Sequence, residues 1–199
     1  MKLQQQLNVA LPAWMRSFTS HWMDEFGATL NSPEQRMQLA VALSAENLRQ
    51  ETGGPFGAIV VEEETGRLVG MGVNLVTRSH MSAAHAEIVA LSLAQKAMKS
   101  WNLGAGAAMQ LVTSCEPCAM CFGAVPWSGV RSLVCGARKE DAEAAGFDEG
   151  DKPLAWVSTL EQRGIRVKRD ILREPAARVL QEYIQGEGAI IYHPGKTSR

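Results

Sequence analysis

Long apolar runs are missing from this 199-residue chain: no stretch reaches the roughly 20 consecutive apolar residues of a membrane-spanning helix. The opening MKLQQQLNVALPAWMRSFTS breaks each short apolar run with Gln, Asn or Arg, unlike a secretory leader. An excess of charge is missing as well. Lys and Arg number 20 against 21 Asp and Glu, a formal net charge of -1, so the chain lacks the bulk basic field that proteins gripping long phosphate backbones carry. Cysteine is scarce at four residues, too few and too clustered for a secreted disulfide scaffold. Internal repeats and low-complexity segments are absent. These absences argue against a membrane span and a nucleic-acid partner and point to a small, roughly neutral substrate in a reducing cytoplasm. What is present is apolar residues at 46%, enough to bury one core without disulfides.

Residues 1–31 are read as an amino-terminal helical extension, because Trp14, Phe18, Trp22 and Phe26 recur at fourfold spacing and make one aromatic stripe on a helix. Such a stripe packs on the core or a second subunit, or forms a lid. Residues 32–199 are read as a single domain. Ser32 as N-cap, Pro33 at the first helical position and Gln35 completing a capping box predict a helix over about 33–51, stopped by Gly53 and Gly54. FGAIVVEEETGRLVGMGVN reads as a hairpin turning at Glu64–Arg67. From residue 85 the chain alternates: a helix to about 99, the strand AMQLVTS, a helix from near Pro117, the strand VRSLVCGA and the helix KEDAEAAG. A helix LAWVSTLEQRG, a strand IRVKRDIL, a helix PAARVLQEYIQG and a last strand or arm AIIYH follow. This alternation predicts an α/β sheet with helices on its faces.

The stretch TSCEPCAMCF packs Cys115, Cys118 and Cys121 into seven residues. Cys118 and Cys121, three apart at a helix start, share one face, and the partial positive charge there favours thiolates. His85 and Glu87, two apart at another helix start, let one side chain bind metal while the other handles protons. One imidazole and two thiolates leave an open fourth position, the arrangement of a catalytic zinc; Cys115 as a fourth ligand would make the zinc structural. Glu87 favours the first reading, since a closed structural site gives a carboxylate no proton to move. An iron–sulfur cluster would need Cys135 as a ligand, although it is followed by Gly136 rather than Pro. A Cys118–Cys121 disulfide would leave His85 and Glu87 unexplained.

With HAE at 85–87 and PCAMC at 117–121, the chain resembles the zinc-dependent cytidine and deoxycytidylate deaminases, whose signature is H-x-E followed by P-C-x-x-C. The resemblance covers roughly residues 33–192 and implies a cytidine-deaminase-like three-layer α/β/α sandwich with a mixed sheet of about five strands. It implies one Zn2+ per subunit held by His85, Cys118 and Cys121, with Glu87 as proton shuttle. GGPFGAIVV, SAAHAE, EPCAMCFGAVPWSGVRSLVCGA and GFDEG resemble the guanine deaminase branch, and GFDEG discriminates most because the generic deaminase needs a single carboxylate. That branch implies hydrolysis of guanine to xanthine and ammonia in purine breakdown or salvage. Glu149 would be the second carboxylate, with neighbouring Asp148 the competing assignment. Expected substrate contacts are Asn74, Ala86, and Phe56 and Phe147 as ring walls, with Trp127 and Tyr192 as further candidates. Relatives are commonly homodimers, some exchanging C-terminal segments, and AIIYH fits such an arm. Cys115 is no family requirement. Deamination of cytosine, ammeline or a transfer-RNA adenosine, and a zinc-stabilised module without catalysis, stay open as rivals.

Overall fold

The computed structural model describes residues 5–191. Helix α1 (Trp14–Phe26) carries the aromatic stripe, with successive ring centroids 5.7, 6.1 and 4.5 Å apart. Trp14, Phe18 and Trp22 pack beside buried Met15 onto one of the cores flanking the sheet, so the extension closes that core. Helix α2 (Pro33–Arg49) begins with the expected capping box: Gln35 N–H donates to Ser32 Oγ at 3.1 Å, and Ser32 N–H to Gln35 Oε1 at 3.2 Å. It stops at Gln50, before the glycine pair. Gly53 has another reason to lack a side chain, since a Cβ there would collide with the Asn74 carbonyl.

Strands β1 (Gly57–Glu62) and β2 (Leu68–Val73) form the expected hairpin. A short helix α3 (Val76–Ser79), not anticipated from the sequence, follows because Asn74 Oδ1 accepts the Val76 N–H at 3.2 Å. Then come α4 (Ala86–Met98), β3 (Met109–Cys115), α5 (Ala119–Ser128), β4 (Ser132–Ala137), α6 (Lys139–Ala144), α7 (Trp156–Glu161), β5 (Arg166–Lys168) and α8 (Arg173–Gln185). Helix α7 is shorter than LAWVSTLEQRG suggested. IRVKRDIL supplies only a three-residue strand, because Asp170 and Leu172 take left-handed φ values of 66° and 51° and turn the chain into α8. Residues 189–191 join no strand. Ile190 instead exchanges hydrogen bonds with the Tyr183 hydroxyl, at 3.0 Å from its carbonyl and 2.9 Å from its N–H. Tyr192 and the rest of the expected arm lie outside the described residues.

The five strands order as β2-β1-β3-β4-β5. Strand β1 is antiparallel to both neighbours while β3, β4 and β5 are parallel, so β1 alone opposes the other four. Alternate residues face opposite layers. Ala58, Val60, Leu111, Leu133 and Cys135 join the core under α4, α5 and α7, whereas Ile59, Val61, Val112 and Val134 join the core under α1 and α2. Helix α8 lies beside α2 against β4. The three-layer α/β/α sandwich with a mixed five-stranded sheet is thus present. Helix α4 lies unusually close to β2, because Gly70 and Gly72 present no side chain there. A Cβ at Gly70 would stand 2.6 Å from the Ala90 carbonyl oxygen, and one at Gly72 would collide with that of Ala86.

Candidate active site

One edge of the sheet gathers the chemistry. Strands β2 and β3 end there and β1 begins there, which brings Asn74, Glu116 and Phe56 to one side of the molecule, where α4 and α5 also start. Ligands in such sheets collect outside the carboxyl ends of the strands. His85 and Cys118 are the N-cap residues of α4 and α5, both with extended backbone, and neither side chain caps its own helix. The positive helix ends therefore converge on imidazole and thiol. A small pocket opens at this edge, lined by Phe56, Asn74, His85, Glu87, Glu116, Cys118, Phe147, Asp148 and Glu149.

His85 Nδ1 lies 3.5 Å from Cys118 Sγ and 3.7 Å from Cys121 Sγ. A tetrahedral zinc with Zn–S of about 2.3 Å and Zn–N of about 2.05 Å would space neighbouring ligand atoms about 3.6 Å apart. The three donors are thus arranged for zinc, and their softness suits it. Among the described residues no fourth His, Cys, Asp or Glu joins this group, so a zinc held by these three would keep a position for water or substrate. Cys115 stays outside, its Sγ 3.6 Å from the Arg138 carbonyl and packed near Phe147, Ala176 and Tyr183. Cys135 is buried in the sheet, and all four thiols are free. This arrangement favours neither a cluster with four thiolates nor a disulfide.

The pocket is electrostatically strained in the direction acid–base chemistry needs. Burial, followed by the Cys118 charge, pushes the Glu87 carboxyl from an ordinary 4.5 to about 7. Burial, then Cys118 and Glu87, pushes Glu149 to about 8. The Cys118 thiol falls to about 4, first through its hydrogen bond with Cys121 and despite its burial. Burial opposes a charged His85, yet the hydrogen bond to Cys118 and the charge of Glu87 raise its pKa above 6.5. A bound dication would pull the carboxyls back toward ionisation and let both thiols release protons.

The expected residues divide clearly. Asp148 and Glu149 both line the pocket, but Glu149 is buried while Asp148 is exposed, its Oδ1 accepting the Gly150 N–H at 2.9 Å, so Glu149 is the buried carboxylate of the two. Asn74 is buried, lines the pocket and also holds the turn into α3. Phe56 and Phe147 meet edge to face at 4.9 Å and 75°, so they form one corner of the pocket instead of two opposed walls. Ala86 buries its methyl in the core and does not line the pocket. Trp127 is 83% exposed at the far end of α5 and is not among the residues that line the pocket. Glu116 escaped the sequence reading. Its position in the E-P-C run was the available signal, and its carboxylate is buried between Arg169 at 2.6 Å and Lys152 at 3.6 Å.

Residues 30–137 match the cytidine and deoxycytidylate deaminase zinc-binding region, and the chain belongs to that family of zinc-dependent deaminases. Within the family it falls in the guanine deaminase branch. A solved guanine deaminase from Nitrosomonas europaea is 44% identical, with a TM-score of 0.84, over 94% of this chain and 100% of that one. A solved mutant protein in complex with 8-azaguanine is 45% identical, with a TM-score of 0.84, over 92% of this chain and 99% of that one. The guanine deaminase of Bacillus subtilis (strain 168) is 38% identical over 126 residues, 60% of this chain and 78% of that protein.

Proposed function

We propose that the protein hydrolyses guanine to xanthine and ammonia, with His85, Cys118 and Cys121 holding one zinc ion and Glu87 and Glu149 moving protons. The observation that carries this reading is the pair of buried carboxyls lining the same pocket as His85 and Cys118 of the triad, since a structural zinc site has no use for them. When bound, zinc supplies a Lewis acid that makes water a nucleophile near neutral pH. Glu87 takes the proton of the water that attacks carbon 2 of the purine and delivers it to a ring nitrogen. The exocyclic amine leaves only once protonated, and Glu149, with its proton affinity raised by burial, delivers that proton together with Glu87. The hydroxyl left on carbon 2 gives its proton to the carboxylate as it becomes a carbonyl, which restores the carboxyl that protonated the amine, so guanine and water give xanthine and ammonia.

Asn74 offers a fixed polar contact to the base, and Phe56 and Phe147 supply one apolar corner against its ring. We further read the enzyme as a cytoplasmic homodimer acting in purine breakdown or salvage. No helix of the described residues is long and apolar enough to cross a membrane. On α5, Met120 and Trp127 are left 40% and 83% exposed, which supports a second copy covering that face. The deciding experiment incubates zinc-loaded protein with guanine, cytosine, adenine and ammeline separately and measures ammonia. Release from guanine is expected; its absence, with release from another base, refutes the substrate and keeps the chemistry.

A further inference from the structure

The loop that delivers Glu149 is stitched at two points to the turn that delivers the thiols. One stitch is a backbone bond from Ala119 N–H to the Glu149 carbonyl at 2.9 Å. The other is Lys152, whose ammonium donates to the Pro117 carbonyl at 2.8 Å. That carbonyl precedes the N-cap Cys118, so it stands outside the α5 ladder, whose first acceptor is the Cys118 carbonyl, bound by Phe122 N–H at 2.8 Å. Pro117 is buried, and its carbonyl needs a donor from elsewhere in the chain.

Lysine is an uncommon donor for that purpose, because an ammonium is costly to bury unless paired. The Lys152 side chain is only 2% exposed. Two features offset the cost: the Glu116 carboxylate at 3.6 Å, and the Trp156 ring, whose centroid lies 4.3 Å from Nζ. Glu116 is held in turn by Arg169 Nε at 2.6 Å and the Lys139 backbone N–H at 3.3 Å. The stitch is therefore anchored to the start of α6 and to the segment after β5, both outside the pocket.

We propose that Lys152 is a positioning residue: its bond to Pro117 sets the spacing between the Glu149 carboxyl and the His85–Cys118–Cys121 triad. The inference rests on the functional reading above, in which Glu149 moves a proton. Lys152 does not line the pocket but its partner Glu116 does, so its effect reaches the pocket through the loop and through Glu116. Without Lys152, the backbone tie left between the two segments is the Ala119–Glu149 bond, and a misplacement of about 1 Å at a reacting group costs about 10²-fold in rate.

The test compares wild type, K152M, K152Q and K152R for guanine-dependent ammonia release, zinc per chain and melting. K152M is expected to keep full zinc, hold KM within about threefold and lose kcat by about 10²-fold, the pattern of an interaction that matters in the transition state. K152R, which retains charge and donor, is expected to recover kcat to within about tenfold of wild type. Unchanged kcat in K152M overturns the proposal. So does a loss of kcat that merely tracks lost zinc, or a raised KM with kcat intact. If K152M does not fold, K152Q and K152R are read by the same criteria, and failure of all three to fold overturns it by making the role structural. A wild type that acts on another base but not on guanine refutes the functional reading alone, and the Lys152 comparison is then made with that base. A wild type inactive on every base overturns both.

Discussion

Replacing Gly72 with alanine tests how the fold sets the metal site from a distance. Gly72 lies on β2 beneath the first turn of α4, the helix that begins at His85 and carries Glu87. A methyl at Gly72 would collide with the Ala86 carbonyl and stand 2.5 Å from the Ala90 nitrogen. Ordinary non-bonded contact begins at about 3.5 Å, so the start of α4 has to lift by about 1 Å. The lift carries His85 away from two thiols whose sulfurs are held on α5. Overpacking of this kind costs about 1–3 kcal/mol, and for a chain of this size each kcal/mol lowers the melting temperature by about 2–4 °C. The expected G72A protein melts about 2–12 °C below wild type. It binds zinc at least about tenfold more weakly in competition with a chromophoric chelator, and its kcat is lower by about 10²-fold. G106A is the control, because nothing lies within 4 Å of a Cβ built there. A G72A protein with wild-type melting and zinc affinity would falsify the claim that the β2–α4 contact places His85.

Glu87→Gln keeps zinc and lowers ammonia release by about 10²–10⁴-fold; intact turnover would rule out Glu87 as the proton carrier and favour a zinc-stabilised module. Cys121→Ser, by contrast, loses zinc and activity together, measured as metal per chain after dialysis, and retention of full zinc would remove Cys121 from the ligand set. Asp141 accepts two hydrogen bonds from Arg173 at 2.9 Å, and that interaction, ahead of burial, holds its carboxyl below the ordinary 3.8. A depressed acid stabilises the fold above its unfolded pKa and loses that contribution as pH falls through its folded one. The melting gap between wild type and D141N should therefore be full above about pH 5 and shrink below about pH 3, and a gap independent of pH would contradict the pairing. Trp127→Ser should leave the pocket intact while weakening self-association, read as a lower sedimenting mass at equal concentration; an unchanged mass would place the dimer contact elsewhere.

Local order was legible because it depends on neighbours a few residues apart. The Ser32–Gln35 capping box, the hairpin of β1 and β2, and the pairing of Cys118 with Cys121 on one helix face all follow from spacing within a turn or two. So did the motif that marks the family, since HAE and PCAMC each sit where a helix begins. The short α3 was missed because it depends on the Asn74 side chain closing a turn, and β5 was overread because two left-handed residues end it without glycine.

By itself, the sequence determined which groups could do the chemistry: an imidazole, two thiols three residues apart, and carboxyls at Glu87 and Glu149. Only the tertiary structure decided which of them meet. His85 reaches thiols 33 and 36 positions away, and Cys115, six residues before Cys121, is left aside, because the strand order brings the starts of α4 and α5 to one edge while β3 directs Cys115 away from them. It also joined Phe56 and Phe147 into one corner, left Trp127 outside and buried Lys152 against Glu116 in the pocket wall. Burial is the physical reason for the remainder. Folding removes water from Glu87 and Glu149 and so raises both carboxyls above their ordinary range, and that burial depends on every layer packed around the site.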